Sequence, residues 1–91
     1  MEFVVYVLLS EEGYHYTGQT PNLERRLSEH NSGTCHSTKH GHNWRVIYAE
    51  SFPTRSDAMK REKYFKSSAG RRWLLRHVAG WSPSRPVVGT E

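Results

Sequence analysis

Two charged residues of this chain stand at helical positions whose neighbours are apolar, where an unpaired charge is expensive. Leu23, Arg26, Leu27 and His30 fall one helical turn apart, so one face carries two leucines, an arginine and a histidine. Glu62 lies four residues after Ala58 and three before Phe65, in a stripe that also includes Met59. Two chemistries are open to Glu62. It can pair with Arg26 or with a lysine on its own helix, or it can serve as a metal ligand or catalytic carboxylate. Tyr14 and Tyr16 share one face of an extended segment, and a hairpin can bring Tyr6 near Tyr16. The ordinary use of such tyrosines is cross-strand packing. Cys35, His36, His40 and His42 suggest zinc, but their spacing lacks the usual paired cysteines. A solvated basic loop that touches phosphate through His36, Lys39 and His40 accounts for them better.

The elements that must position these residues follow from local patterning. Phe3 to Leu9 is an apolar run of strand length, bounded by Ser10-Glu11-Glu12-Gly13, and reads as a central strand followed by a turn. Tyr14 to Thr17 is its antiparallel partner, ended by Gly18. Thr20 is expected to cap a helix that has Pro21 in its first turn, runs to about Asn31 and stops at Gly33. A polar loop, 34–43, is expected at the surface, and a third strand spans 44–50. Thr54 and Asp57 form a capping box for a second helix through Lys66. Ser67-Ser68-Ala69-Gly70 reads as a break before a short basic helix at 71–78. The expected class is α+β, a small three-stranded, mostly antiparallel sheet flanked by helices, in one domain over 1–78 with a flexible tail at 79–91.

Composition narrows the partners. A chain of 91 residues with a formal charge of +4 is one small basic domain, suited to nucleic acid or an acidic surface. Its single cysteine excludes an internal disulfide. The run Phe3–Leu9 follows Glu2 instead of a basic segment, so it does not read as a signal peptide. No stretch is apolar enough to span a membrane. The cytoplasm is the expected compartment.

Val4-Val5-Tyr6, then Tyr16-Thr17-Gly18, then Arg26 with His30, then Glu62 within Ala58-x-x-x-Glu62-x-x-Phe65-Lys66 resemble the GIY-YIG nuclease superfamily. The segment Lys66 to Leu74 is similar to small stand-alone bacterial members, related to the UvrC-type nuclease domain. The likeness covers roughly residues 3–75, and its motifs agree in order and spacing with the predicted elements. Val4-Val5 replaces Gly-Ile and Thr17 replaces Ile, while both tyrosines stand. The asparagine that many restriction and homing members carry after the metal-binding helix has no counterpart in Trp73-Leu74-Leu75. The resemblance therefore implies a structure- or strand-selective DNA endonuclease of repair or processing with little sequence specificity. It implies that Glu62 holds one divalent ion, Mg²⁺ or Mn²⁺, and that Tyr6 and Tyr16 flank the attacking water, with Tyr6 favoured as general base. It implies that Arg26 supports the base and the transition state, and that His30 orients water or binds phosphate. Gly18, Arg25, His36, Lys39, His40, Lys66, Arg71 and Arg72 are the expected DNA contacts, with Arg26 and Glu62 facing one another across the sheet. No small-molecule cofactor is expected. A catalytically silent nucleic-acid-binding module of the same fold is the alternative.

Overall fold

A computed structural model describes residues 1–82, the side chain of Ser37 excepted. Strands β1 (Phe3–Leu9), β2 (His15–Thr20) and β3 (Arg45–Phe52) form one antiparallel sheet in the order β2-β1-β3. Helices α1 (Leu23–Ser32), α2 (Arg55–Phe65) and α3 (Ser68–His77) complete the fold, with a single 3-10 turn at His36–Thr38. The apolar run is thus the central strand, as its composition implies. Its alternation feeds two clusters. Val5 and Val7 pack with Ala58, Phe65, Leu74, Val78 and Trp81 beneath α2 and α3. Tyr6 and Leu8 point the other way, to Tyr16 and Trp44, where Leu23 and Leu27 of α1 cover them. The sheet is therefore the middle of three layers.

Strand β3 reaches both layers through a bulge. Val7 faces Tyr48 and Leu8 faces Val46, so Ile47 is the extra residue. Val46 and Tyr48 would otherwise share a face. Instead Val46 joins the Tyr6 cluster and Tyr48 the Val5 cluster.

Several boundaries differ from expectation for identifiable reasons. Gly18 does not end β2, which runs two residues further. Thr20 does not cap α1: Asn22 does, accepting from the Arg25 amide at 3.0 Å, while the Thr20 hydroxyl accepts from the Asn22 amide at 3.1 Å. Pro21 therefore precedes the helix. Gly33 closes it in the left-handed conformation, φ 81°. Thr54 caps α2 through the Asp57 amide as its capping box requires, but Met59 is exposed, not in the apolar stripe. The break expected over Ser67-Ser68-Ala69-Gly70 is shorter and falls at Lys66–Ser67: Ser67 caps α3 through the Gly70 amide, so Ser68, Ala69 and Gly70 form its first turn. Gly70 is there for closeness: a Cβ would stand 1.8 Å from the Tyr64 carbonyl oxygen, so α2 and α3 pack backbone to backbone.

Arg61 is half-buried on α2. It pairs with Glu50 at 3.2 Å, and its guanidinium lies over Tyr64, Phe65 and Trp73 at 4.6–5.0 Å. Trp81, expected in the tail, is buried against His15 with ring centroids 4.9 Å apart, so packing continues three residues past Val78. The rest of the expected tail, 83–91, lies outside the described residues.

Candidate active site

The β1–β2 register sets Tyr6 opposite Gly18 and Leu8 opposite Tyr16. Tyr6 and Tyr16 are therefore diagonal neighbours on the α1 side of the sheet, with ring centroids 6.1 Å apart. Gly18 makes room for both. A Cβ there would stand 2.8 Å from Tyr6 Oη and 2.9 Å from Tyr16 Cε2, so glycine is required by crowding, not by its dihedral angles. Tyr6 Oη consequently lies directly above the Gly18 backbone.

His30 comes to the same point from α1. Its Nε2 is 2.9 Å from Tyr6 Oη, its Nδ1 is 2.7 Å from Thr38 Oγ1, and its ring centre is 4.9 Å from that of Tyr16. All four side chains are buried. His30 is thus committed to a phenol and a hydroxyl, which leaves neither ring nitrogen for the phosphate contact expected of it.

Glu62 belongs to the opposite layer and reaches the site around the outer edge of β2. Between β2 and α2 lies an open cleft of about 890 Å³, whose walls include Tyr16, Gly18 and Gln19 on one side and Met59, Glu62 and Lys66 on the other. Arg55, Lys60 and Lys63 also line it, so the cleft carries four cations to one carboxylate. Sequence patterning does not single out these three basic residues. In sequence they are indistinguishable from the solvated face of any helix, and only the edge strand beside them makes them a wall.

Arg26 and Glu62 belong to helices on opposite layers of the sheet. Arg26 Nη1 donates to Glu29 at 3.2 Å, and Lys66 Nζ donates to Glu62 at 2.7 Å, so each charge is answered on its own helix. Arg26 is outside the cleft lining, while Lys66 is within it. Among the remaining expected DNA contacts, Arg25, His36, Lys39, His40 and Arg72 are exposed. Arg71 is half-buried, with its guanidinium 5.7 Å from the Trp81 ring centre, and lines other hollows than the cleft.

The loop 34–43 is less superficial than its composition suggests. Thr38 is fully buried, Cys35 is buried, and Gly41 packs on the Trp44 indole. His42 turns away from the others to Glu12 in the β1–β2 turn, whose carboxylate it meets through both its ring and its amide. The hydrogen bond from His42 holds the Glu12 carboxyl down at about 2, and the same bond raises the His42 imidazole above its ordinary value. Among the described residues no three His, Cys, Asp or Glu side chains converge into a group that could hold a metal ion. A hard divalent ion has different needs: Mg²⁺ binds through one or two carboxylates together with water and substrate phosphate. A lone carboxylate at the wall of an open cationic cleft fits that pattern. No helix among the described residues is long and apolar enough to cross a membrane.

Comparison with known proteins identifies the family. The family model of the GIY-YIG catalytic domain matches residues 2–74. A UPF0213 protein of Enterococcus faecalis is 47% identical over 64 residues, 67% of this chain and 73% of that one. One from Listeria welshimeri is 42% identical over 66 residues, covering 71% of this chain and 73% of the relative. One from Halobacterium salinarum is 38% identical over 63 residues, covering 68% and 82%. The solution structure of a UPF0213 protein from Bacillus halodurans superposes with a TM-score of 0.51 at 30% identity, covering 84% of each chain. With its three-stranded antiparallel sheet, its paired tyrosines and a model match across most of its length, the chain belongs to the GIY-YIG family of nuclease domains.

Proposed function

We propose that this protein is a divalent-metal-dependent DNA endonuclease with little sequence specificity, acting in DNA repair or processing. One observation carries the reading: the two tyrosines meet at Gly18, and Gly18 forms part of the same cleft wall that faces Glu62. The phosphodiester backbone would lie along this cleft, held by Arg55, Lys60 and Lys63. Contacts of this kind give affinity without reading bases.

Each residue then has a task. Tyr16 and Gly18 stand at the cleft wall, and the buried Tyr6 would reach the reacting water beside Gly18, against which its hydroxyl lies. Tyr6 takes a proton from the attacking water and passes its own to His30 Nε2, which already lies at hydrogen-bond distance. A free phenol has a pKa near ~10, so an acceptor at its oxygen is what lets it act near neutrality. Arg26, once turned from Glu29, places a guanidinium against the growing negative charge on the phosphate. Glu62 would hold Mg²⁺ or Mn²⁺ after Lys66 gives way. When bound, the ion supplies Lewis-acid polarisation of the phosphate and charge for the departing 3′ oxygen.

The test is incubation with labelled duplex, nicked, branched and single-stranded DNA in Mg²⁺, Mn²⁺ or chelator. Cleavage that needs metal and is lost in Tyr6→Phe is expected. Binding with no cleavage of any substrate in either metal would defeat the enzyme reading. It would leave a silent nucleic-acid-binding module, which the ion pairs Arg26–Glu29 and Glu62–Lys66 would also suit.

A further inference from the structure

Two hydroxyls flank the His30 ring, and only one of them belongs to the reacting tyrosine pair. The other, that of Thr38, sits in the loop 34–43, outside every motif that marks the family resemblance. Thr38 is fully buried, and its hydroxyl oxygen lies 2.7 Å from His30 Nδ1. Its backbone is held on both sides. The Thr38 amide donates to the Cys35 carbonyl at 3.2 Å, and its carbonyl accepts from the Gly41 amide and from Trp44 Nε1, each at 3.1 Å. Trp44 in turn packs on Gly41. These bonds place the Thr38 oxygen against one imidazole nitrogen, where a hydroxyl can accept or donate.

We propose that Thr38 is a positioning residue: its Oγ1 accepts the Nδ1–H of His30 and so leaves Nε2 as the proton acceptor for Tyr6. The inference rests on the endonuclease reading for its purpose, though not for its chemistry. A neutral imidazole carries one N–H and one lone pair. With the proton on Nδ1, the lone pair on Nε2 receives the Tyr6 hydroxyl hydrogen. When Tyr6 takes a proton from water and releases its own, the product is an imidazolium whose two N–H groups point at Thr38 Oγ1 and at Tyr6 Oη. With the proton on Nε2 instead, the ring would donate to Tyr6, and no site would remain for the phenol's proton. The partner of the far nitrogen therefore decides which way the near one works. The loop whose composition suits a phosphate-touching surface segment contributes to proton transfer from within.

The experiment reads the tautomer directly. The metal-free, DNA-free protein, labelled with ¹⁵N-histidine, is examined by long-range ¹H–¹⁵N correlation in the parent, Thr38→Ser and Thr38→Val. The parent and Thr38→Ser should show His30 protonated on Nδ1, and Thr38→Val should show the Nε2–H form. In cleavage assays Thr38→Val should lose about 10- to 100-fold in kcat, by analogy with the range seen when the outer partner of a metal-ligating histidine is removed. KM for DNA should be unchanged, and Thr38→Ser should recover most of the rate. A parent His30 protonated on Nε2 would overturn the proposal whatever the cleavage result. So would a tautomer unmoved by Thr38→Val, or a Thr38→Ser variant as slow as Thr38→Val. Absence of cleavage in the parent would fail the endonuclease reading, and the nitrogen spectra would still decide the role of Thr38.

Discussion

Replacing Glu62 with glutamine separates the metal site from a structural ion pair. The side chain keeps its shape and loses its charge. Its partner in the metal-free protein is Lys66, one turn on, at 2.7 Å, and the two side chains are 21% and 28% exposed. Pairs of this kind on a helix are worth about 0.3–0.5 kcal/mol when exposed, and up to roughly 1 kcal/mol in general. For a domain of this size that is a fall in Tm of roughly 1–8 °C. Had Glu62 been half of a buried pair with Arg26, breaking it would cost about 3–5 kcal/mol, a fall beyond roughly 12 °C. The ion adds a second readout. At tenfold excess over its dissociation constant it stabilises by about 1.4 kcal/mol through mass action, roughly 6–11 °C. Melting of both proteins in chelator, Mg²⁺ and Mn²⁺ should therefore show a small deficit for Glu62→Gln in chelator and no response to metal. Cleavage should be abolished, while duplex binding without metal survives. A fall beyond about 12 °C in chelator, with metal-dependent cleavage retained, would refute the metal-ligand assignment and make Glu62 structural.

Gly18→Ala should cost about 1–3 kcal/mol by overpacking and abolish cleavage, because its Cβ would stand 2.8 Å from Tyr6 Oη and 2.9 Å from Tyr16 Cε2 and displace both rings; chemical denaturation and the cleavage assay check the two effects. Lys60→Ala with Lys63→Ala should weaken DNA binding evenly across sequences and flatten its salt dependence by about 0.9 in log–log slope for each phosphate no longer neutralised, which titration at several salt concentrations measures. The Glu12–His42 pair predicts a stability plateau. Its Glu12 part is present above the ordinary 4.5 and fades as pH falls toward about 2, where the folded group titrates. Its His42 part is full below the ordinary 6.5 and fades as pH rises through the elevated folded value. The parent minus His42→Ala difference in stability should therefore be greatest between pH 4.5 and 6.5; a difference independent of pH would show that the pair adds nothing.

What the residues disclosed in advance was whatever depends on near neighbours. Seven consecutive apolar residues make a central strand, and Thr54 with Asp57 opens α2, because strand period and helix capping are local effects. Gly18 and Gly70 read as punctuation because closeness of another segment leaves no mark in sequence. His30 was legible as an unusual helix residue but not as the partner of Thr38, eight positions on through an irregular loop. Trp81 was lost to the prolines and glycine around it, although an aromatic side chain of that size was itself a reason to expect burial. Glu62 stood out as a charge among apolar neighbours, and both uses open to it stay open: it pairs with a lysine of its own helix and also lines the cleft.

The position of β2 at the margin of the sheet has a consequence for how the protein opens. A marginal strand is hydrogen-bonded on one side only, so its amides are natural candidates for early exchange with solvent during partial opening. Tyr16 and Gly18 are both on this strand, and the cleft that joins them to Glu62 runs along it. A single fraying event at β2 would therefore dismantle both halves of the site together while β1, β3, α2 and α3 remained packed. The chemistry is as durable as its least anchored strand, and a polyanion lying along the cleft would bind most tightly to the state in which that strand is closed. The slowing of β2 amide exchange on adding DNA would then measure occupancy of the site without any bond being cut.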